Sequence, residues 1–322
     1  MKPKESMKPI EKICVAGIGG IGGYIGYHLG KGWAQAQRAE RQLSFLARGE
    51  HLKAIQEKGL TFFPPSGEEG VVKPHRTTDD PASLPVQDLV VLCVKGYHLQ
   101  EICHQIQPIV GDTTAILPLL NGIDIYERIR SVLTKGIVLP ACIYISSTRE
   151  GPGVVRQSGG KGNIIAGADP RYPGYDPVPL IQTMEEAGIP FEWQENPFPA
   201  LWSKYLFIAS FALVTGMSGK PIGGVLADPD LKERLRRIME EVLALARIKG
   251  VEFPSTAIEE VLARGAAFPY DTKTSYQRDL EVPGKPNEGD LFGGTILRMG
   301  KELGIPTPWT EDTVRRMEGQ AP

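Results

Sequence analysis

Six residues near the N-terminus form a pattern that could hold a phosphate-bearing ligand. They follow a short apolar run at 13–16, precede a helical pattern and read G-x-G-x-x-G: Gly17, Ile18, Gly19, Gly20, Ile21 and Gly22. The first glycine permits a tight turn, the second lets the backbone approach a pyrophosphate, and the third lets a helix pack closely on the strand. The N–H groups and dipole at the helix N-terminus favour an anion. The pattern therefore predicts a dinucleotide site, against the alternative of a glycine-rich turn without a ligand.

The end of the second predicted strand, at 42–47, indicates which nucleotide would bind. Arg48 is the first polar residue beyond it and could hold the 2′-phosphate of NADP. Glu50 is the rival, because a carboxylate there would hold the 2′-hydroxyl of NAD. We favour NADP(H). A long polar loop at 32–41 leaves the register open, and a solvated loop charge remains the alternative for Arg48.

Two further polar residues follow apolar strand candidates. Lys95 comes after the run at 89–94, and Asn121 comes after the run at 115–120. Ligands of doubly wound folds lie beyond the carboxyl ends of strands, so Lys95 could meet a cofactor phosphate and Asn121 a substrate or nicotinamide. The alternatives are a lysine whose stem alone is buried and an Asn-Gly turn.

The second half of the chain offers a lysine and a carboxylate. Lys204 begins a strongly apolar segment, and Glu288 lies in the polar stretch 287–290. Partial burial lowers the pKa of an ammonium group and equips it to act as a general acid. A surface lysine at a helix end is the alternative for Lys204. Helix capping by Asn287 and its acidic neighbours is the alternative for Glu288.

The elements that must position these residues divide the chain in two. Apolar runs separated by helical patterns lie at 13–16, 42–47, 88–94, 114–119 and 136–145, and residues 154–166 read as strands with a turn. Helical patterns dominate the second half, at 201–215, 229–249, 255–266 and 290–303. We predict an α/β fold class. An N-terminal Rossmann doubly wound sheet would occupy residues 1–193, followed by a C-terminal all-α domain at 194–322.

The composition excludes several function classes. The 322 residues carry a formal net charge of −2, and 41% are hydrophobic. There is no basic excess to bind nucleic acid or an anionic membrane. No apolar run approaches the ~20 residues of a transmembrane helix, and the segment 205–217 reads as a buried helix.

The cysteines argue for a reducing compartment. Cys14, Cys93, Cys103 and Cys142 form neither a CxxC pair nor a cluster with histidine. We therefore expect no disulfide, no metal site and a cytoplasmic protein. Small buried thiols are expected at Cys14 and Cys93.

Taken together, these segments resemble the ketopantoate reductases (2-dehydropantoate 2-reductases) from near residue 12 to about residue 309. The matching pieces are GIGGIG at 17–22, ARGEHL at 47–52, VKGY at 94–97, LPLLNG at 117–122, LWSK at 201–204, SYQRD at 275–279, KPNEGD at 285–290 and GIPTP at 304–308. The resemblance implies a Rossmann domain, a helical domain and catalysis in the cleft between them.

The same resemblance implies a role for each site residue. Residues 17–22, Arg48 and Lys95 would hold NADP(H), with Asn121 and Glu288 also beside the cofactor. Lys204, Glu288 and Asn121 would be the catalytic residues, and Lys204 would protonate the carbonyl oxygen as hydride reaches the adjacent carbon. Lys204, Ser275 and Asn121 would bind the substrate, with Ser275 on its carboxylate. Ketopantoate would become pantoate for coenzyme A synthesis.

Two departures leave the substrate open. Asparagines often stand one and two turns after the catalytic lysine in this family, where this chain has Ile208 and Ala212. The stretch 275–288 is also one residue longer than the common pattern. A reductase of another 2-oxo acid, a related 3-hydroxy acid dehydrogenase and a non-catalytic NADP(H) sensor are the alternatives. Retention of both Lys204 and Glu288 argues against the sensor. The oligomeric state stays open between monomer and homodimer.

Overall fold

The computed structural model describes residues 9–37, 40–282 and 284–319. Its strands are β1 (Lys12–Ala16), β2 (Gln42–Leu46), β3 (Leu60–Phe63), β4 (Gly70–Val72), β5 (Arg76–Thr78), β6 (Leu89–Leu92), β7 (Ala115–Pro118), β8 (Ile137–Val138), β9 (Ala141–Gly151), β10 (Val154–Gly167) and β11 (Phe191–Gln194). The helices of the first half are α1 (Gly20–Gln35), α2 (Gly49–Lys58), α3 (Leu99–Gln105), α4 (Ile125–Arg130) and α5 (Val178–Glu186).

Six of the strands form one parallel sheet in the order β5-β2-β1-β6-β7-β8. Every residue of β6 and β7 is buried, as their continuous apolar sequences require of strands covered on both faces. The chain leaves β1 toward one edge and returns beside it at β6, so the strand order reverses there. The predicted Rossmann-type sheet is confirmed, and the β1/β6 reversal is where such folds bind ligands.

A second sheet of five strands has the order β11-β10-β3-β4, and β9 pairs with β10 as a long antiparallel hairpin. Two predictions need correction here. The run at 136–145 is not one strand, because Leu139 and Pro140 separate β8 from β9. Residues 154–166 belong to one strand, whose register shifts near its glycines replace the expected turn.

Helix α1 packs against strands of both sheets through its glycines. A Cβ at Gly26 would lie 2.6 Å from the Phe45 ring of β2, and one at Gly23 would lie 2.5 Å from Val155 of β10. The helix therefore approaches both sheets more closely than side chains would permit. This packing holds the N-terminus of α1, and with it the glycine-rich turn, in a rigid position.

The second half is helical. Its α-helices are α6 (Phe198–Ser218), α7 (Ile222–Ala227), α8 (Pro229–Ile248), α9 (Ala257–Ala266), α10 (Ser275–Leu280), α11 (Thr295–Leu303) and α12 (Pro308–Glu318). A π-helical turn at Asp290–Gly294 leads into α11, so the helix predicted at 290–303 begins with a wider turn. The predicted all-α character of this half is confirmed.

Helix α6 is the core of this half. It is long and apolar enough to span a membrane by length and composition, but 67% of its most apolar window is buried inside the protein. Helices α8, α10 and α12 pack around it. A buried core helix explains the apolar sequence, as the sequence analysis predicted.

The chain divides into two units. The sheet unit contains the described residues up to Leu120 and Ile125–Pro197, and the helical unit contains Asn121–Asp124 and the described residues from Phe198 onward. The division at 197/198 lies after strand β11, whereas the predicted boundary at 193/194 falls inside that strand. Residues 121–124 group with the helices, which sequence order alone did not indicate.

Candidate active site

The glycine-rich turn follows β1 at the β1/β6 reversal. Gly17 has a φ of +90°, and its N–H donates to the Leu46 carbonyl oxygen at 3.1 Å. A Cβ at Gly17 would also lie 2.8 Å from the Val94 side chain. Glycine is required at this position by the backbone alone.

The remaining glycines of the turn separate into two kinds. A Cβ at Gly20 would lie 2.0 Å from the Ser147 carbonyl oxygen of β9, and one at Gly22 would lie 2.0 Å from the Gly17 carbonyl oxygen. Gly19 differs, because it has an ordinary φ of −84° and no atom lies within 4 Å of where its Cβ would be. The protein itself does not need a glycine at position 19, whereas a ligand approaching the backbone there would.

The N-terminus of α1 also suits an anion. Gly19 is its N-cap and supplies no side-chain hydrogen bond, and the first turn of α1 contains no acidic residue. The N–H groups of that turn can therefore face a phosphate, which a capping carboxylate would repel. These residues fit the pyrophosphate of a dinucleotide.

A buried histidine holds the same turn. His51 of α2 lies with Nε2 2.6 Å from the Ile18 carbonyl oxygen, and its Nδ1 accepts from the Gly153 N–H at 2.9 Å. Burial, the largest cause, lowers the pKa of His51, and Arg149 lowers it further. His51 is therefore held in its neutral form, bridging the turn and the β9–β10 hairpin.

Arg48 stands beside this turn, immediately before α2. Its Nη1 lies 3.0 Å from Oε1 of Glu101, and its side chain is 57% exposed. Hydrogen bonding from His98, and next the charge of Arg48, lower the pKa of Glu101, which is thus ionised at neutral pH. The rival Glu50 pairs with Lys53 at 2.9 Å on the surface. The 2′-phosphate role of Arg48 stays a prediction.

Lys95 lies at the carboxyl end of β6, close to the glycine-rich turn. The N–H of Cys93 donates to the carbonyl oxygen of Ala16 at 2.8 Å, and Val94 is the residue that a Cβ at Gly17 would strike. Lys95 follows directly and is half-buried. This position suits an ammonium that binds a cofactor phosphate. The phosphate contact of Lys95 stays a prediction.

In the helical unit, Lys204 is a buried lysine. It lies on α6, is 8% exposed, and its Nζ donates to Oδ1 of Asn121 at 2.9 Å. The alternative of a surface lysine at a helix end is wrong. The structure brings together two predicted catalytic residues that are far apart in sequence, and the ammonium identifies the Asn121 oxygen as the acceptor.

The segment that carries Asn121 is anchored by α11. Gly122 has a φ of +132°, and Oδ2 of Asp124 accepts from the Thr295 hydroxyl at 3.1 Å. Arg298 lies 3.6 Å from the same carboxylate and also pairs with Asp290. The chain bends at Asn121, and the Asn121 side chain contacts Lys204, another predicted catalytic residue.

Glu288 is buried close to the same helix. It is 6% exposed, and the Tyr205 hydroxyl, next to Lys204 in sequence, donates to the carbonyl oxygens of Leu291 and Phe292, at 2.9 Å each. The side chain of Asn287 accepts from the Gly289 N–H at 3.0 Å. Asn287 is not the helix cap that the alternative described, because Gly289 is the N-cap of the π-helical turn and no side chain caps it.

Ser275 lies further from Lys204. It is exposed at the start of α10, and its neighbour Thr274 contacts the Thr215 hydroxyl at 2.9 Å. Thr215 comes eleven residues after Lys204 on α6, about 16 Å along the helix axis at 1.5 Å per residue. The contact with a substrate carboxylate stays a prediction, and of the predicted residues Ser275 has the weakest geometric support.

Comparisons with known proteins agree with this arrangement. The sequence model of the family described as ketopantoate reductase PanE/ApbA matches residues 13–171, and that of its C-terminal domain matches residues 198–318. The chain belongs to the ketopantoate reductase family. Together with its relatives, this makes the chain an oxidoreductase of the 2-dehydropantoate 2-reductase type.

Three proteins illustrate the family likeness. The 2-dehydropantoate 2-reductase of Mesorhizobium japonicum is 29% identical over 318 residues, covering 92% of this chain and 94% of that protein. The PanE/ApbA family ketopantoate reductase structure from Ralstonia eutropha has a TM-score of 0.84 at 27% identity, covering 96% and 99% of the two chains. A D-mandelate dehydrogenase solved with NADH and anilino(oxo)acetate has a TM-score of 0.82 at 21% identity, covering 96% and 97%, which shows the fold alone.

Two functional features escaped the sequence reasoning. His51 stood inside a family-like motif, but its bond to the Ile18 carbonyl depends on a tertiary contact. The link from Asp124 to Thr295 joins positions 171 residues apart. Sequence spacing carried no signal for the second. The position of His51, three residues after Arg48 in the first turn of α2, was a usable signal for its role.

Proposed function

We propose that this family member reduces ketopantoate to pantoate with NADPH. The observation that carries the proposal is the contact between the buried ammonium of Lys204 and Oδ1 of Asn121, at 2.9 Å. A lysine is costly to bury, so its retention beside a second polar residue favours a chemical role over a structural one.

The residues that would hold the phosphates of NADP(H) lie in the sheet unit. The N–H groups of the turn at 17–22 would bind the pyrophosphate, and Arg48 and Lys95 would bind further phosphates. The open space at Gly19 supports this assignment. When bound, NADPH supplies the hydride that reduces the keto carbon.

Lys204 would supply the proton. As the keto carbon gains hydride, negative charge develops on its oxygen, and a positioned ammonium stabilises that charge. The Lys204 ammonium then transfers a proton to the oxygen, which leaves a secondary alcohol and a neutral amine. General acid catalysis of this kind contributes about 10²–10⁴-fold. The amine recovers its proton from solvent before the next turnover.

Asn121 would aim the ammonium. Its Oδ1 accepts an N–H of the Lys204 ammonium at 2.9 Å, and an ammonium has three such donors in all. This contact survives deprotonation, since a neutral amine still donates. Asn121 would thereby hold Nζ in one direction throughout the reaction.

Glu288 and Ser275 would contact the substrate. The carboxylate of Glu288 would accept from a substrate hydroxyl, consistent with its burial near α6. Ser275 would donate to the substrate carboxylate. We place the reaction in the cytoplasm, where the four cysteines would remain reduced, and we expect a monomer or a homodimer.

A second substrate class is favoured by the side chains that follow Lys204 along one face of α6. Ile208 follows one turn after Lys204 and Ala212 two turns after, so this stripe of the helix is apolar. A 2-oxo acid with an apolar side chain would match such a stripe better than the hydroxylated ketopantoate. The reaction at the keto carbon would be unchanged.

A substrate panel tests these proposals. NADPH consumption is followed by nicotinamide absorbance with ketopantoate and with 2-oxo acids whose side chains are aliphatic or aromatic. The proposal expects the highest kcat/KM with ketopantoate, and a preference for an apolar 2-oxo acid would favour the second candidate. Tight NADPH binding with no turnover of any acid would instead favour the sensor.

A further inference from the structure

We infer that His51 is a positioning residue for the nucleotide, because its neutral ring fixes the Ile18–Gly19 peptide of the glycine-rich turn and protonation displaces that ring from Gly153. The inference rests on the proposed nucleotide site. Nothing in the sequence comparison assigns a role to this histidine, which would touch neither the substrate nor the reacting atoms.

The hydrogen bonds of His51 determine its tautomer. The backbone N–H of Gly153 can only donate, so Nδ1, 2.9 Å away, must carry a lone pair. In a neutral imidazole the other nitrogen then carries the hydrogen. Nε2–H therefore donates to the Ile18 carbonyl oxygen at 2.6 Å.

This bond controls a group that faces the ligand. The peptide between Ile18 and Gly19 is planar and trans, so its C=O and N–H point in opposite directions. With the carbonyl directed at His51, the N–H of Gly19 points away from α2. Gly19 is also the position whose Cβ would have no neighbour within 4 Å. His51 thus aims a backbone donor toward the space where a phosphate would bind.

The other side of His51 is attached to a rigid part of the fold. The carbonyl oxygen of Gly153 accepts from the N–H of Thr61 in β3 at 2.9 Å. The same β9–β10 hairpin contacts the turn again at Ser147, beside Gly20. The glycine-rich turn therefore contacts the β9–β10 hairpin at two places, through His51 and directly at Ser147.

Protonation of His51 would disrupt this arrangement. An imidazolium has N–H groups on both nitrogens, so Nδ1 could no longer accept from Gly153. The backbone of Gly151 can stabilise the protonated ring, and a proton on Nδ1 would therefore exchange Gly153 for Gly151 as partner. Nε2–H would still donate to the Ile18 carbonyl oxygen, so a ring displaced from the Gly153 N–H would carry that carbonyl with it.

The charged side chain near His51 lowers its pKa. Arg149 of β9 is the charged side chain that acts on His51, and it disfavours protonation. The turn at 17–22 and strand β3 contain no titratable residue. On α2 itself, Glu50 and Lys53 pair with one another. Burial and Arg149 lower the pKa of His51. The neutral ring and its two hydrogen bonds therefore persist at neutral pH, and the bond from Gly153 is lost on the acid side of 6.5.

The test measures NADP⁺ affinity by calorimetry between about pH 5 and 8. If only the neutral form binds well, the Kd rises by up to about tenfold for each pH unit below the folded pKa. The 2′-phosphate of the ligand titrates in the same range, with a pKa of about 6. The comparison of variants with wild type, rather than the wild-type profile alone, is therefore the measure.

Two substitutions imitate the two ring nitrogens. His51→Gln places an amide near Nε2 and does not titrate, so it should retain affinity within about tenfold at pH 8 and lose the excess pH dependence. His51→Asn reaches only the Nδ1 position and should bind more weakly than His51→Gln. His104→Gln, at an exposed histidine on α3, is the matched control and should follow the wild-type profile.

A ligand-free measurement separates the two proposals. The ¹⁵N spectrum of histidine-labelled wild type should show His51 with an unprotonated Nδ1 and a protonated Nε2 at neutral pH. The other tautomer, or identical pH profiles for wild type and His51→Gln, would overturn the inference about His51. The expected tautomer without any NADP⁺ binding would instead overturn the proposed nucleotide site.

Discussion

The glycine-rich turn of the sheet unit and the Lys204 region of the helical unit are built on opposite principles. The turn presents backbone N–H groups, and the fold allows this because Gly17, Gly20 and Gly22 leave no room for side chains. The Lys204 region instead presents side chains. Asn121, from a segment distant in sequence, contacts Lys204, and Asp124 of the same segment accepts a hydrogen bond from Thr295. A backbone site can be recognised from spacing, whereas a side-chain site depends on tertiary contacts.

Loss of Lys204 should produce the largest effect on turnover. We expect Lys204→Ala to lower kcat by about 10²–10⁴-fold, because the proton donor to the keto oxygen is removed. The Kd for NADP⁺ should hardly change, since the residues predicted to hold its phosphates belong to the other unit. Steady-state kinetics and calorimetry measure the two quantities. Lys301→Ala, at an exposed lysine on α11, serves as the control. Unchanged kcat in Lys204→Ala would reject the general acid.

Two alanine substitutions in the turn should have opposite consequences. Gly20→Ala should destabilise the protein by about 1–3 kcal/mol or more, because its Cβ would collide with the Ser147 carbonyl. Gly19→Ala should leave the melting temperature near the wild-type value and weaken NADP⁺ binding by about tenfold or more, equivalent to roughly 1.4 kcal/mol. Thermal unfolding and calorimetry distinguish them. Full nucleotide affinity in Gly19→Ala would remove the ligand argument for that glycine.

Arg48 should discriminate between the two nucleotides. We expect Arg48→Ala to weaken NADPH binding by about 10–100-fold, as for loss of a charge-assisted phosphate contact, and to affect NADH much less. Binding titrations with both nucleotides measure this ratio. Lys53→Ala, which removes a neighbouring exposed charge on α2, controls for the general change in potential. Equal weakening of NADPH and NADH would show that Arg48 does not recognise the 2′-phosphate.

Mild acid should affect the two units unequally. All five histidines precede residue 121, and burial lowers the pKa of both His28 and His51. Their stabilising effect is complete above pH 6.5 and is lost as pH falls toward the folded pKa, by at most about 1.4 kcal/mol per histidine per pH unit. Hydrogen exchange, corrected for intrinsic rates, should show protection falling in the sheet unit first. Earlier loss in the helical unit would contradict this.

The sequence predicted most of the fold because its signals were local. The apolar runs of β6 and β7 and the long apolar pattern of α6 each depend on neighbouring residues. The boundary between β8 and β9 was missed because a short break at Leu139 and Pro140 hardly interrupts an apolar run. The grouping of Asn121–Asp124 with the helices was missed because no local pattern encodes it.

The candidate site was predicted unevenly for the same reason. Gly17 and Gly22 followed from spacing, and Lys204 was suggested by a family-like motif, but its burial and its contact with Asn121 required coordinates. The Ser147 contact that requires Gly20, and the bond between Gly153 and His51, join residues more than a hundred positions apart. The pairing of Arg48 with Glu101 also depends on the strand order of the sheet.

A crystal structure with NADP⁺ and an unreactive 2-oxo acid analogue would show whether Lys204 is the proton donor to the keto oxygen. We expect Nζ of Lys204 within hydrogen-bond distance of the oxygen on the analogue's second carbon, about 3 Å, with the Asn121 contact retained. A structure in which another donor binds that oxygen, with Lys204 directed elsewhere, would contradict it.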